Sequence, residues 1–141
     1  MIKAILCGAS GKMGGFVAAA AESDGEIQIV AGVDKYNNGE KFPIFSDFYD
    51  INVKADIIID FSNATLLDGL LDYALKNNMP AVIATTGYDN AQIEKIKAAA
   101  KKIPVFFTFN MSVGVNLVAS LAKKAAAVLG DSFVMILILK L

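Results

Sequence analysis

A glycine-rich run between a predicted strand and a predicted helix is the strongest chemical signal in the sequence. It reads Gly8-Ala9-Ser10-Gly11-Lys12-Met13-Gly14. Glycines permit a tight turn and let backbone N–H groups approach a pyrophosphate, while the helix N-terminus adds a partial positive charge. The GxxGxxG spacing differs from the commoner GxGxxG, so a turn needed only for packing is the alternative to a dinucleotide site. A Walker A loop is excluded, because Leu6 and Met13 stand where that motif needs Gly and Ser or Thr.

An acidic residue follows at the distance typical of a nicotinamide dinucleotide site. Asp34 ends the second predicted strand, twenty residues after Gly14. An acid at this place binds the hydroxyls of the adenine ribose in NAD sites, whereas a solvated strand-end Asp is the structural alternative. Lys35 follows directly and would balance the 2′-phosphate of NADPH, although an ordinary surface lysine fits the sequence equally well. Both NADH and NADPH therefore stay open as cofactors.

Three further polar stretches end predicted strands. They read Asp60-Phe61-Ser62, Ala84-Thr85-Thr86-Gly87 and Asn110-Met111-Ser112-Val113-Gly114-Val115-Asn116. Ligands of an open α/β sheet bind outside the carboxyl ends of its strands, so all three stretches can converge on one crevice with the glycine-rich run. The alternative is turn and cap chemistry, with Ser62 or Asn63 as a helix N-cap and Thr86-Gly87 as a turn.

Strands alternate with helices along the chain, which is typical of a doubly wound α/β fold with a parallel sheet. The predicted strands lie at residues 2–7, 27–33, 43–45, 56–60, 81–85, 104–107 and 133–139. The predicted helices lie at residues 16–22, 64–76, 90–102 and 117–129. Leucines 66, 67, 70, 71 and 75 give the second helix one apolar face, and Asp89 with Gln92 forms a capping box before the third.

The residue types that are missing exclude several kinds of chemistry. The 141 residues contain no His, one Cys and 13 cationic residues, all of them Lys. Without His there is no Ser-His-Asp or Cys-His pair and no His-bound metal, and Cys7 alone builds no Cys-rich zinc site. Without Arg, phosphate must be held by backbone N–H groups, hydroxyls and Lys. We therefore expect no metal site.

Charge and hydropathy limit the expected partners and compartment. The net charge is −1, so no basic balance indicates nucleic acid. Mean hydropathy is high at +0.52, but the apolar runs fall short of the roughly 18 residues that span a bilayer. The N-terminus lacks the order of regions found in a signal peptide, and a single Cys fits a reducing compartment. The sequence predicts a cytoplasmic globular protein without a nucleic-acid or membrane partner.

Five motifs together resemble the dihydrodipicolinate reductase (4-hydroxy-tetrahydrodipicolinate reductase) family of the lysine and diaminopimelate pathway. In chain order they are GASGKMG at 8–14, Asp34, DFS at 60–62, ATTG at 84–87 and NMSVGVN at 110–116. Their order and spacing cover nearly the whole chain, and NMSVGVN is close to a family signature. Two positions depart slightly: Ala84 stands where the family typically has Gly, and Met111 where it usually has an aromatic residue.

The resemblance implies an N-terminal Rossmann-like domain that binds NADH or NADPH, followed by a C-terminal domain for a cyclic dicarboxylate substrate and for assembly into homotetramers. The residues that it assigns to the cofactor are Gly8, Ala9, Ser10, Gly11, Lys12 and Met13 at the pyrophosphate, Asp34 and Lys35 at the adenine ribose, Phe61 and Ser62 beside the cleft, and Ala84, Thr85, Thr86, Thr108, Phe109, Asn110 and Met111 toward the nicotinamide. Residues 1–109 would form the cofactor domain. Residues 110–141 would supply a loop, one helix and the first strand of an incomplete second domain.

The family's catalytic segment has no counterpart in these residues. After the strand that follows Gly130, the family carries a His-His pair, a Lys and a loop like DAPSGT, and none of them is present. The resemblance thus implies a shortened reductase chain that binds cofactor without appreciable turnover and holds no catalytic residue. A stand-alone NAD(P)-sensing module without catalytic activity is the alternative. A small aspartate dehydrogenase-like enzyme is a third possibility, against which NMSVGVN argues.

Overall fold

Parallel strands form the centre of the described part of the chain. A computed structural model describes residues 1–108 and 120–121. The strands are β1 (Ile2–Cys7), β2 (Ile27–Val33), β3 (Ile44–Phe45), β4 (Ile57–Asp60), β5 (Ala81–Ile83) and β6 (Val105–Phe107). The α-helices are α1 (Lys12–Asp24), α2 (Leu67–Lys76) and α3 (Asn90–Ala99), and two short 3₁₀ helices lie at Phe48–Asp50 and Ala64–Leu66.

The order of the strands confirms the predicted Rossmann-like α/β fold. In the described residues all pairings are parallel and the order is β3-β2-β1-β4-β5-β6. The chain runs outward from β1 through β2 to β3, then returns to the other side of β1 and runs outward again through β4, β5 and β6. Right-handed crossovers therefore place α1 on one face of the sheet and α2 with α3 on the other. The strand order reverses at the carboxyl end of β1, which is where ligands bind in such folds.

The core lies on both sides of β1. Residues Ala4–Cys7 are fully buried, as expected for a central parallel strand. The apolar face predicted for the second helix is confirmed, because Leu67, Leu70 and Leu71 are buried. The capping box of Asp89 and Gln92 is also confirmed, with Gln92 N–H donating to the Asp89 carboxylate over 2.7 Å.

Several predicted boundaries were wrong by two to four residues. The first helix begins at Lys12, not at residue 16, and extends to Asp24 before Gly25 ends it in the left-handed conformation. Glycine normally disfavours a helix, but here the close packing of Gly14 on the Gly8 and Ala9 backbone overrides that preference. The second helix opens as a 3₁₀ turn at Ala64–Leu66, and α3 ends at Ala99. The strand predicted to reach residue 85 ends at Ile83.

The chain divides into two compact units, Met1–Phe107 and Thr108–Leu141. The sheet and α1–α3 belong to the first unit. In the second unit only residues 108 and 120–121 are described, and Ser120 and Leu121 are helical. The predicted boundary at 109/110, the rest of the predicted helix 117–129 and the predicted strand 133–139 lie outside the described residues. Among the described helices none is long and apolar enough to cross a membrane.

Candidate functional site

The turn after β1 needs glycine at its first position. Gly8 has a φ of +75°, and a side-chain Cβ at this position would lie 2.5 Å from the carbonyl oxygen of Phe61. The backbone of Gly8 thus packs directly on the turn that follows β4. On the other side, the Gly8 N–H donates to the carbonyl of Val33 at the end of β2 over 2.9 Å. The glycine-rich turn therefore joins the carboxyl ends of three strands.

A second glycine brings the start of α1 against this turn. A Cβ on Gly14 would lie 2.2 Å from the Gly8 carbonyl oxygen and 2.5 Å from that of Ala9. Gly11 is the N-cap of α1 and supplies no capping side chain, and the first turn of α1 carries no acidic residue. The N–H groups of Lys12 and Met13 therefore have neither an intrahelical nor a capping acceptor. A cradle of this kind fits a pyrophosphate.

Asp34 lies beside the glycine-rich turn, as predicted. Its carboxylate accepts the N–H of Ser10 over 3.0 Å and the N–H of Lys35 over 2.7 Å. Each carboxylate oxygen keeps further lone pairs, so the group can still accept hydrogen bonds from two ribose hydroxyls. The segment after Asp34 lies alongside the glycine-rich turn. The Ser10 hydroxyl donates to the Tyr36 carbonyl, and the side-chain amide of Asn38 donates to the Ser10 carbonyl. Lys35 is exposed.

A second carboxylate approaches the same serine. The Ser10 hydroxyl lies beside Glu40 and is the main cause that lowers the pKa of that carboxyl, and the Glu40 carboxylate accepts the N–H of Asn38 over 2.8 Å. Two negative charges thus flank Ser10. Sequence reasoning missed Glu40, although the turn predicted at Asn37-Asn38-Gly39 indicated that the chain folds back there.

The carboxyl ends of β4 and β5 hold the predicted residues on the other side of β1. Phe61, Ser62 and Ala84 are half-buried, Thr85 is buried and Thr86 is exposed. The Ala84 N–H donates to the Asp60 carbonyl over 2.9 Å, which keeps the two strand ends together. Asn63, not Ser62, caps the following 3₁₀ helix, because its side chain accepts the Thr65 N–H. Ser62 instead binds Asp60.

Asp60, which the sequence analysis placed in a polar strand-end stretch, forms a buried polar contact with Tyr88 that was not predicted. The Tyr88 hydroxyl donates to the Asp60 carboxylate over 3.2 Å. Burial and the Asp60 charge both raise the pKa of Tyr88, and they raise the pKa of the neighbouring Cys7 thiol in the same way. No signal in the sequence singled out Tyr88, which follows Thr86-Gly87 and precedes the capping box of α3.

Thr108 is the last predicted residue that the structure describes, and it is half-buried directly after β6. Phe109, Asn110 and Met111 lie outside the described residues. Among the described residues no group of His, Cys, Asp and Glu could hold a metal ion.

A cavity of about 560 Å³ opens elsewhere, between α1, β2 and residues 39–42. Small residues of α1 and apolar residues of β2 line much of it, including Gly15, Ala18, Ile27 and Ile29. None of residues 8–13 and neither Asp34 nor Asp60 contributes to its wall. The glycine-rich turn, Asp34 and Asp60 therefore lie outside this cavity, at the carboxyl edge of the sheet.

A parallel sheet with a glycine-rich β1–α1 turn and an acid at the end of β2 defines a dinucleotide-binding domain of the Rossmann type. Residues 2–111 match the family described as dihydrodipicolinate reductase, N-terminus. The chain belongs to this family, whose matched domain is the one that binds NAD(P)H, and the family uses NADH or NADPH.

Named relatives agree with this assignment. The chain is 41% identical over 134 residues to the 4-hydroxy-tetrahydrodipicolinate reductase of Clostridium novyi, covering 94% of this chain and 53% of the relative. It is 43% identical over 129 residues to that of Caldanaerobacter subterraneus, covering 92% and 51%. The dipicolinate-bound dihydrodipicolinate reductase from Paenisporosarcina sp. TG-14 shares the fold with a TM-score of 0.76 at 23% identity, covering 90% of this chain and 54% of that one. The chain spans about half the length of the curated relatives it matches.

Proposed function

We propose that this chain supplies the cofactor-binding part of an NAD(P)H-dependent reduction of 4-hydroxy-tetrahydrodipicolinate to tetrahydrodipicolinate. The observation that carries the proposal is the geometry of the glycine-rich turn. Gly8 packs on the turn after β4 and donates a hydrogen bond to the end of β2, and Asp34 accepts the N–H of Ser10. Family membership supports a reductase of lysine biosynthesis. The cyclic dicarboxylate substrate and a homotetrameric assembly are proposed for the whole protein on the same ground.

The strand order indicates how a dinucleotide would lie. β2 and β4 flank β1 on opposite sides, so a pyrophosphate above the β1–α1 turn would leave one nucleoside over β2 and the other over β4 and β5. Asp34, an acid suited to binding ribose hydroxyls, lies at the end of β2, so the adenosine would lie on that side. The nicotinamide would then lie over the ends of β4 and β5.

Each predicted residue receives a role on this basis. The N–H groups of the turn and of the first turn of α1 would hold the pyrophosphate, and Asp34 and Lys35 would surround the adenine ribose. The residues proposed for the nicotinamide half are Phe61, Ser62, Ala84, Thr85, Thr86, Thr108, Phe109, Asn110 and Met111. When bound, the reduced nicotinamide supplies a hydride, and the chain's own residues orient it.

For the 141 residues alone we propose cofactor binding without appreciable turnover. The sequence contains no His and therefore no imidazole to protonate a substrate near neutral pH. Cys7 and Tyr88, which lie at the carboxyl edge of the sheet, are poor substitutes because both side chains are buried and their pKa values are raised. No catalytic residue is assigned to this chain.

Calorimetric titration with NADH and NADPH tests the binding, and NADH oxidation with 4-hydroxy-tetrahydrodipicolinate tests the turnover. We expect saturable heat for at least one cofactor and no substrate-dependent oxidation. No heat at millimolar concentration of either cofactor would refute the binding. Sustained oxidation that depends on substrate would refute the proposed lack of turnover.

A further inference from the structure

Asp60 is a carboxylate buried at the point where three strands end. Its side chain is 1% exposed, and it is the only charged residue in the buried core of the described part. It pairs in register with Cys7 on β1 and with Ile83 on β5. Burying a carboxylate is costly unless several donors satisfy it, so its partners must be in place when the chain folds.

The donors come from two different loops. The Ser62 N–H donates to one carboxylate oxygen over 3.1 Å, the Ser62 hydroxyl donates to the same oxygen, and the Tyr88 hydroxyl donates to the other oxygen. Ser62 belongs to the turn after β4, whereas Tyr88 follows the loop after β5. The Tyr88 ring is held in addition by an edge-on contact with Phe107 on β6.

The contact reaches the glycine-rich turn through backbone atoms. Gly8 lies against the Phe61 carbonyl and the Ser62 Cα, both within 3.0 Å of where a Gly8 Cβ would stand. The Gly8 N–H is also held by the Val33 carbonyl at the end of β2, so the glycine-rich turn keeps a support that does not depend on Asp60.

A buried hydroxyl without a hydrogen-bond partner lies beside this contact. Thr85 is 4% exposed, and its Oγ1 has no hydrogen-bond partner among the described residues. Thr85 lies close enough to Tyr88 to lower the pKa of that hydroxyl, but not in a geometry that makes a hydrogen bond. An unpartnered buried hydroxyl is uncommon in native proteins, and here it sits on the loop that Tyr88 anchors.

We propose that Asp60, through Ser62 and Tyr88, is a positioning residue that sets the β4 and β5 loops for the nicotinamide half of the cofactor. The inference rests on the proposed function. The carboxylate itself is buried, so its effect must pass through the two loops. The adenosine half, which lies over β2, should not depend on it.

ADP-ribose and NADH separate the two halves experimentally, because ADP-ribose lacks the nicotinamide. Asp60→Asn keeps the shape but removes the charge, and Tyr88→Phe removes one hydroxyl from a ring that stays packed. We expect the Kd for NADH to rise about tenfold in Asp60→Asn and about threefold in Tyr88→Phe. The Kd for ADP-ribose should change less than about twofold, and the fluorescence of bound NADH should fall in both variants.

Asp56→Asn is the matched control, since Asp56 is an exposed carboxylate at the opposite end of β4 that accepts the Lys3 N–H. It should leave both Kd values unchanged. Equal weakening of NADH and ADP-ribose, or unchanged NADH binding in both variants, would overturn the positioning role while leaving the proposed function intact. If Asp60→Asn does not fold, Tyr88→Phe alone decides. A wild-type chain that binds neither ligand would overturn the proposed function and this inference together.

Discussion

The two flanks of β1 hold their polar groups in opposite ways. On the β2 flank, the carboxylates of Asp34 and Glu40 accept backbone N–H groups, those of Ser10 and Lys35 at Asp34 and that of Asn38 at Glu40, in hydrogen bonds that are exposed or partly exposed. On the β4 flank, Asp60 is buried and bonded to the side chains of Ser62 and Tyr88. Partly exposed hydrogen bonds can exchange partners with a ligand at low cost, whereas a buried carboxylate cannot release its donors without a large penalty. We therefore propose that the acid of the β2 flank contacts the ligand itself, whereas the buried acid of the β4 flank holds the loops that would contact it.

Gly14 lies between the flanks, and its replacement should have the largest effect. In Gly14→Ala the added Cβ meets two backbone carbonyl oxygens at 2.2 and 2.5 Å, so α1 must shift. We expect a loss of about 3 kcal/mol in the free energy of unfolding, measured with urea, and loss of NADH and ADP-ribose binding alike.

Gly15→Ala is the control for this substitution. A Cβ on Gly15 meets nothing within 4 Å, so alanine should stabilise α1 by roughly 0.5–1 kcal/mol and leave both ligands bound. Similar stability in the two variants would show that the close packing of α1 on the turn does not exist in solution.

The exposed flank was far easier to predict from sequence than the buried one. A glycine-rich run followed twenty residues later by an acid is a local pattern with a known spacing, and Gly8, Ser10 and Asp34 do come together. The Asp60–Tyr88 contact joins residues 28 apart, and it depends on strand ends that only the folded sheet brings together. A strand-end Asp that is buried and one that is solvated look alike in sequence.

Helix boundaries show the same limit. The sequence around Gly14 and Gly15 predicts a turn by intrinsic propensity, yet α1 already includes both residues. The packing of Gly14 on the Gly8 and Ala9 carbonyls decides the matter, and helix propensity alone does not contain that information. The apolar face of α2 and the capping box of α3 were predictable, because periodicity and caps are local.

Asp34→Ala should have the next largest effect and tests whether the exposed flank contacts the adenosine. Removing the carboxylate deletes an acceptor for ribose hydroxyls, so the Kd for NADH should rise about tenfold. NADPH should weaken less, because the variant also relieves repulsion between Asp34 and the 2′-phosphate. Calorimetry with NADH, NADPH and ADP-ribose measures these changes, and ADP-ribose should follow NADH.

That pattern is the reverse of the one expected for Asp60→Asn, in which ADP-ribose binding is preserved. Asp47→Ala provides the control, since Asp47 also accepts a backbone N–H, from Tyr49, but belongs to the segment after β3. Unchanged affinity for both cofactors would refute the ribose role of Asp34. Equal weakening of both would mean that Asp34 acts only by holding the N–H of Ser10.

Alkaline pH should produce the smallest effect and should act only on the buried flank. The Cys7 thiol is neutral in the fold because burial, and then the Asp60 charge, raise its pKa. An unfolded thiol ionises above a pH of about 8.5, so the unfolded state then binds fewer protons and the free energy of unfolding falls as pH rises. Urea unfolding at pH 7 to 10 should show wild type losing at most about 1.4 kcal/mol per pH unit from this group.

Cys7→Ala removes this contribution. Its free energy of unfolding should therefore be lower than that of the wild type at pH 7, and the two values should converge by pH 10. Asp34→Ala, on the exposed flank, leaves Cys7 and its surroundings in place and should keep the full wild-type slope. Parallel curves for wild type and Cys7→Ala would contradict the burial of the thiol beside Asp60. They would also remove the contrast between the flanks, because a carboxylate whose neighbouring thiol ionises freely cannot be shielded from water.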